Sequence, residues 1–243
     1  MKRLAAVLLA SLSLLACSAE SETTERALTA DEAALLAEIQ FRNFEIGGAD
    51  FIVNAAFTEL GDSITMTGSI DWVNHLGQAT VAASGQEAGI DEVMWSSNEV
   101  LESRPAMTQM LAAIDLPSVR FIARPPDSER RLLDRTIGIL VGLASTERDN
   151  ALLIQQKEGS LFLRSDVLRG QKVFVLRYGK SLRYWVDQST SELLRFEGDS
   201  TSGTAPIVID FMAFGQRTIA QPPQDSVIAV SEISELYDAA RNS

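Results

Sequence analysis

The chain has 243 residues, 46% of them apolar, which suffices for one large core, and 33 acidic against 21 basic residues give a net charge of −12. That balance argues against nucleic acid as a partner and against electrostatic docking on anionic membranes. A single cysteine and a single histidine exclude a disulfide framework and leave zinc without ligands, and nothing in the sequence asks for a cofactor.

In chain order, Met1, Lys2 and Arg3 precede an apolar run, 4–16, far shorter than the roughly 20 residues of a membrane-spanning helix. A positive start, an apolar middle and small residues after it predict a signal peptide over 1–16. Leu14, Leu15, Ala16 and Cys17 resemble the bacterial lipobox, whose cysteine sulfur takes a diacylglyceryl group before cleavage. The alternative is a cysteine discarded with the signal. On the lipobox reading Cys17 is the first mature residue and Lys2 and Arg3 are lost, so 19 basic residues face 33 acidic ones and the net charge is −14. Each buried methylene contributes about 0.8 kcal/mol, so two or more acyl chains hold the chain firmly to the outer face of a membrane. Residues 17–28 begin polar and acidic with little to bury, and read as a tether. One domain is expected over 29–243.

Thr29 and Glu32 stand at capping-box spacing, and Ala33, Leu36, Ile39 and Gln40 follow with helical periodicity, predicting a helix over 30–42. Short runs separated by turn residues then predict strands at 51–60, 64–73, 79–84 and 93–96. In the second, Ile64, Met66, Ile70 and Trp72 share one face and Thr65, Thr67, Ser69 and Asp71 the other, as in an antiparallel strand with one wet side. A helix is expected over 128–144, its second half apolar nearly all round and therefore buried. Gly138 and Gly142 have GxxxG spacing, which in so short a run reads as close packing or a loosened helix rather than a membrane motif. A second meander follows at 161–168, 172–178, 182–187, 192–197 and 206–214, then a short helix at 231–240. The pattern is α+β: a helix, a meander, a helical insertion and a second meander. An open sheet of about ten strands must curl or split. A strongly curved antiparallel sheet, a half-barrel wrapped around the helices, satisfies both faces and tends to leave a cavity between them.

The stretch from Leu182 to Glu197, with Trp185, Val186 and Asp187 before a polar turn and Leu193 to Arg195 after it, resembles the strand-turn-strand signature of the LppX/LprG lipoproteins of actinobacteria. Pro206 through Gly215, ending in Phe214 and Gly215, and Pro222 with Pro223 are similar in the same way. The resemblance covers the start and the last quarter of the chain in detail. It implies a LolA/LolB-like half-barrel whose apolar cavity holds the acyl chains of a lipid or lipoglycan, moved between membrane and outer envelope, with an envelope transporter as a partner. Residues 85–160 have no close counterpart, and the arginine-rich insertion departs from the pattern.

Strand parity selects Ile64, Met66, Ile70, Trp72, Trp95, Phe174, Leu176, Tyr184, Phe196, Ile209 and Phe211 for the concave face. Ile137, Leu140 and Val141 of the central helix should face them, as cavity wall or as ordinary core. Arg104, Arg120, Arg124, Arg130, Arg131 and Arg135 cluster around the insertion of an otherwise acidic chain. Arg124, Arg130 and Arg131 could hold an anionic head group at a cavity rim. The alternative is a helix surface paired with Glu129 and Asp134. His75 falls in the turn 74–77 without a serine to activate, and Asp71, Asp91 and Asp210 are candidate acid–base partners only if the fold brings two together. The sequence therefore favours a lipid carrier over an enzyme, with two further rivals: a lipid-sensing module that binds a regulatory partner, and a surface lipoprotein with a filled core.

Overall fold

The computed structural model describes residues 25–57, 61–114, 116, 118–198 and 205–242. The expected signal peptide, the lipobox-like segment and Cys17 lie outside them. The first described element is a two-residue strand, β1 (Arg26–Ala27), inside the stretch expected to be a tether, and Leu28 after it is buried. Helix α1 (Ala30–Ile46) starts on the expected capping box. Thr29 Oγ1 accepts from Glu32 N–H at 3.3 Å, and Thr29 N–H donates to the Glu32 carboxylate at 2.9 Å. The helix runs four residues past the predicted end and stops at Gly47, whose φ of 92° is a left-handed cap that a side chain would strain.

Gly47 leads straight into β2 (Gly48–Phe57), which pairs through ten positions with β3 (Asp62–Asp71), and β3 pairs with β4 (Leu76–Ser84). His75, with φ 56°, makes the tight turn between β3 and β4. Beyond β5 (Glu92–Trp95) come three short elements that the pattern did not announce: β6 (Val100–Ser103), α2 (Pro105–Ala112) and β7 (Phe121–Arg124). The central helix α3 (Leu132–Gly142) is shorter than predicted, because Asp127 caps a turn ahead of it through Arg130 N–H. It is followed by the six-residue α4 (Ala151–Gln156).

The second meander is β8 (Leu161–Leu168), β9 (Gln171–Tyr178), β10 (Leu182–Asp187), β11 (Leu193–Gly198) and β12 (Ile207–Met212). Arg169 and Gly170, with φ of 51° and 83°, form the left-handed pair that a two-residue hairpin needs. A final strand, β13 (Val227–Ala229), runs into α5 (Val230–Asn242).

Among the described residues thirteen strands form one open sheet in the order β1-β8-β9-β10-β11-β12-β2-β3-β4-β5-β6-β7-β13. Its seam is β12 against β2, from Val208 opposite Asn54 to Met212 opposite Asp50. One correction to the all-antiparallel expectation concerns the far edge, where β13 lies parallel to β7. The chain reaches it by crossing from β12 through 213–226, and a crossover delivers a strand in the parallel sense. α1, α3 and α4 cover one face over the main core. On the opposite face of β8 to β11, Leu163, Val173, Val175, Trp185 and Leu194 form a second apolar layer. Among the described residues no helix is long and apolar enough to cross a membrane.

Candidate functional site

The helix-covered face gathers every apolar residue that strand parity selected. Ile64, Met66, Ile70, Trp72, Trp95, Leu176, Tyr184, Phe196, Ile209 and Phe211 are buried there in one continuous cluster with Ile137 and Leu140, and Phe174 and Val141 pack against it half-buried. The cluster also takes in residues that parity had not singled out: Leu36 and Ile39 of α1, Phe51 and Val53 of β2, and Ile154 of α4. Rings meet at offset or edge angles, Tyr184 with Phe196 at 5.3 Å and Trp72 with Phe211 at 5.5 Å between centroids.

Three side chains tie the helices to each other and to the sheet. Trp72 Nε1 donates to the Leu140 carbonyl at 3.0 Å, which fixes α3 on β3. Asn43 Nδ2 and Gln40 Nε2 of α1 donate to the carbonyls of Leu143 and Gly142 at 2.7 and 3.1 Å, satisfying the end of α3. Burial pushes the Tyr184 phenol well above its ordinary value, keeping it neutral. Trp95 is different. Its ring lies against Gly77, where a Cβ would come within 2.0 Å of the indole, and its buried Nε1 finds no hydrogen-bond partner among the described residues. Between α1, α4 and the sheet lies a narrow recess of about 40 Å³, lined by Leu36, Ile39, Asp149, Ile154, Tyr178 and Tyr184.

The arginines of the insertion are held by carboxylates. Arg124 pairs with Asp134 at 2.6 Å and with Glu102, and Arg131 pairs with Glu102 at 2.6 Å and with Glu87. Arg104 reaches Glu102 at 2.9 Å. Glu87, Glu102 and Asp134 are all buried. Burial alone would push the Glu102 carboxyl up, but the positive charges of Arg124 and Arg131 outweigh it and hold the group below the usual carboxylate range. Arg124 and Arg131 therefore fasten the start of α3 to β6 and to the segment after β4, and Arg130 stands exposed beside them. Asp134 is a partner the sequence offered. Glu87 and Glu102 are partners it did not.

The candidate acid–base groups do not converge. Asp71 accepts from the Asn74 backbone and side chain at 3.0 and 2.7 Å, and Asp210 accepts both arms of Arg195. His75 is exposed on its turn. Among the described residues no cluster of histidine, cysteine and carboxylate side chains could hold a metal ion. A polar groove of about 560 Å³ runs along the other face of β8 to β11, lined by Arg164, Arg177, Arg183 and Arg195 with Glu25, Asp166 and Glu197.

No known family profile matches the chain, and no curated protein matches it. Solved structures do. LprF from Mycobacterium bovis is similar over 82% of this chain and 99% of its own, with 11% identity and a TM-score of 0.51. An uncharacterized conserved protein from Thermus thermophilus is similar over 80% of this chain and 96% of its own, with 10% identity and a TM-score of 0.42. At such identity a likeness speaks of architecture alone. The chain has the fold of LprF, a curved and almost wholly antiparallel sheet wrapped around helices.

Proposed function

We propose that this protein is an exported lipoprotein, anchored through Cys17 to the outer face of the cell membrane, that binds a lipid or lipoglycan non-covalently and carries or chaperones it across the envelope. The acyl chains would lie between the concave sheet face and α1, α3 and α4, lined by the residues of the main core. The lipobox-like Leu14 to Cys17, the LppX/LprG-like segments and the LprF fold support this reading. The observation that carries it is the buried Trp95 indole N–H, without a partner among the described residues, at an otherwise apolar face. An unmade hydrogen bond there costs about 1–3 kcal/mol, and an ester or amide oxygen of an acyl ligand would remove that cost.

Transfer of apolar surface from water supplies the affinity, at about 25 cal/mol per Å². The recess under α4, at about 40 Å³, has room for only a few waters. Loading therefore requires α1 and α4 to part. Arg124 and Arg131, already matched by carboxylates, hold the start of α3 in place, and the exposed Arg130 beside them is left to meet an anionic head group. The reading is not enzymatic.

Native mass spectrometry of the mature chain carrying Cys17→Ser, followed by solvent extraction, tests the proposal. A stoichiometric adduct of acyl-lipid mass is expected. A protein that stays bare after incubation with lipid extracts of its host would overturn it.

A further inference from the structure

The short helix α4 carries two large apolar side chains on its outside. Leu152 and Leu153 are 59% and 64% exposed, while their neighbour Ile154 is buried against α1 at the recess described above. Local bonds hold this arrangement: Asn150 Oδ1 accepts from both leucine N–H groups, at 3.0 and 3.2 Å, so the pair is presented side by side. Asp149 N–H donates to the Ala37 carbonyl at 3.0 Å, which sets the helix across α1. Burying two leucines in a hydrocarbon phase favours partition by on the order of 10²–10⁴-fold.

A second observation says which phase. Gln155 Nε2 of α4 donates to the Leu28 carbonyl at 3.0 Å, so α4 sits where the chain enters the fold from Cys17. Glu25 is eight positions beyond Cys17, and a fully extended chain of eight steps spans at most about 29 Å. A lipidated Cys17 thus keeps this end of the domain within reach of the bilayer. The charges around the pair nearly cancel, with no cationic excess: Arg148, which lies over Phe41 at 4.3 Å, Lys157 and Lys180 face Glu38, Glu147, Asp149 and Glu158. The partner is therefore an apolar interior reached without electrostatic attraction, rather than an anionic surface.

We infer that α4 is the membrane-contact element, inserting Leu152 and Leu153 into the acyl region of the bilayer and so placing the mouth of the recess against lipid. The inference rests on the proposed anchor and lipid-binding interior, and assigns the face through which cargo passes.

The test uses the chain from Ser18 with an amino-terminal hexahistidine tag, tethered to nickel-chelating phosphatidylcholine vesicles. Cys17 is the only cysteine, so Leu153→Cys takes an environment-sensitive dye at one place. Ile114→Cys, 52% exposed on the turn after α2 near the far edge of the sheet, is the control. The dye at 153 should brighten several-fold on tethering and be quenched by spin-labelled lipid, while the dye at 114 stays unchanged. Without any dye, Leu152→Gln with Leu153→Gln should slow transfer of a fluorescent phospholipid between vesicles at least tenfold. Equal response at 153 and 114, or unchanged transfer by the double variant, overturns the inference. Insertion at 153 in a protein found bare of lipid by mass spectrometry would uphold α4 as the contact and overturn the carrier reading. Bound lipid with a dry 153 does the reverse.

Discussion

Glu102 receives the guanidinium groups of Arg104, Arg124 and Arg131, and its burial makes each of those pairings consequential. Removing one partner of a buried ion pair costs about 3–5 kcal/mol, because the others are left charged and unmatched. Glu102→Gln should lower the unfolding free energy at pH 7 by about that amount, read from urea midpoints. A carboxyl held below its ordinary value contributes stability above that value and loses it as pH falls through the folded one. The wild type should therefore lose stability on acidification below about pH 4.5, and the variant should show a shallower slope between pH 7 and 3.5. Little of this network was legible in the sequence. Asp134 lies ten positions from Arg124, within the same charged stretch, whereas Glu102 and Glu87 come from elements whose existence or pairing the pattern did not reveal. Local charge order shows neighbours along the chain, and this cluster is made of neighbours across the sheet. The apolar face was legible for the opposite reason. Period-two parity is a property of each strand alone, so Ile64, Met66 and Ile70 fall on one face whatever they pair with.

Helix α3 shows how far a helical pattern carries. Its apolar second half predicted burial, and Ile137, Leu140 and Leu143 are indeed buried while Gly138 and Gly142 face outward. The fixing contact came from elsewhere, in the Trp72 indole that donates to the Leu140 carbonyl. Leu140→Ala should destabilise the protein by about 2–5 kcal/mol in chemical denaturation, since Leu140 is fully buried and sheet and helix cannot both close on the gap. The β8 to β12 meander was readable because its turns are marked: Arg169 with Gly170 and Gly179 sit at positive φ between strands of six to eight residues. β6 and β7 have four residues each, too few for alternation to declare itself, and α2 between them starts on Pro105 without a side-chain cap. Boundaries moved by a few residues wherever a turn was tighter than the sequence suggested, as at Gly47.

For the molecule as a whole the decisive joint is β12 on β2, which makes one sheet of two meanders. Trp95 belongs to the amino-terminal meander and Trp185 to the carboxy-terminal one. Trp72, the third tryptophan, follows β3 in the amino-terminal meander, so if the joint couples the halves, the fluorescence of Trp185→Phe and of the double variant Trp72→Phe, Trp95→Phe should report coincident urea transitions after correction for each variant's stability, and separated midpoints would mean that the halves melt apart.

The same joint governs how the chain can be made. Met212 follows its partner Asp50 by 162 positions, so β2 has no neighbour on that side until the carboxy-terminal meander has been synthesised. At about 5–20 residues per second, that interval is on the order of ten to thirty seconds. Throughout it, Phe51, Ile52 and Val53 lie on a bare strand edge able to pair with another copy. On the export proposed above, the chain meets that exposure while it is still being threaded, so its yield should be set by whatever shields the unfinished edge more than by the stability of the finished fold.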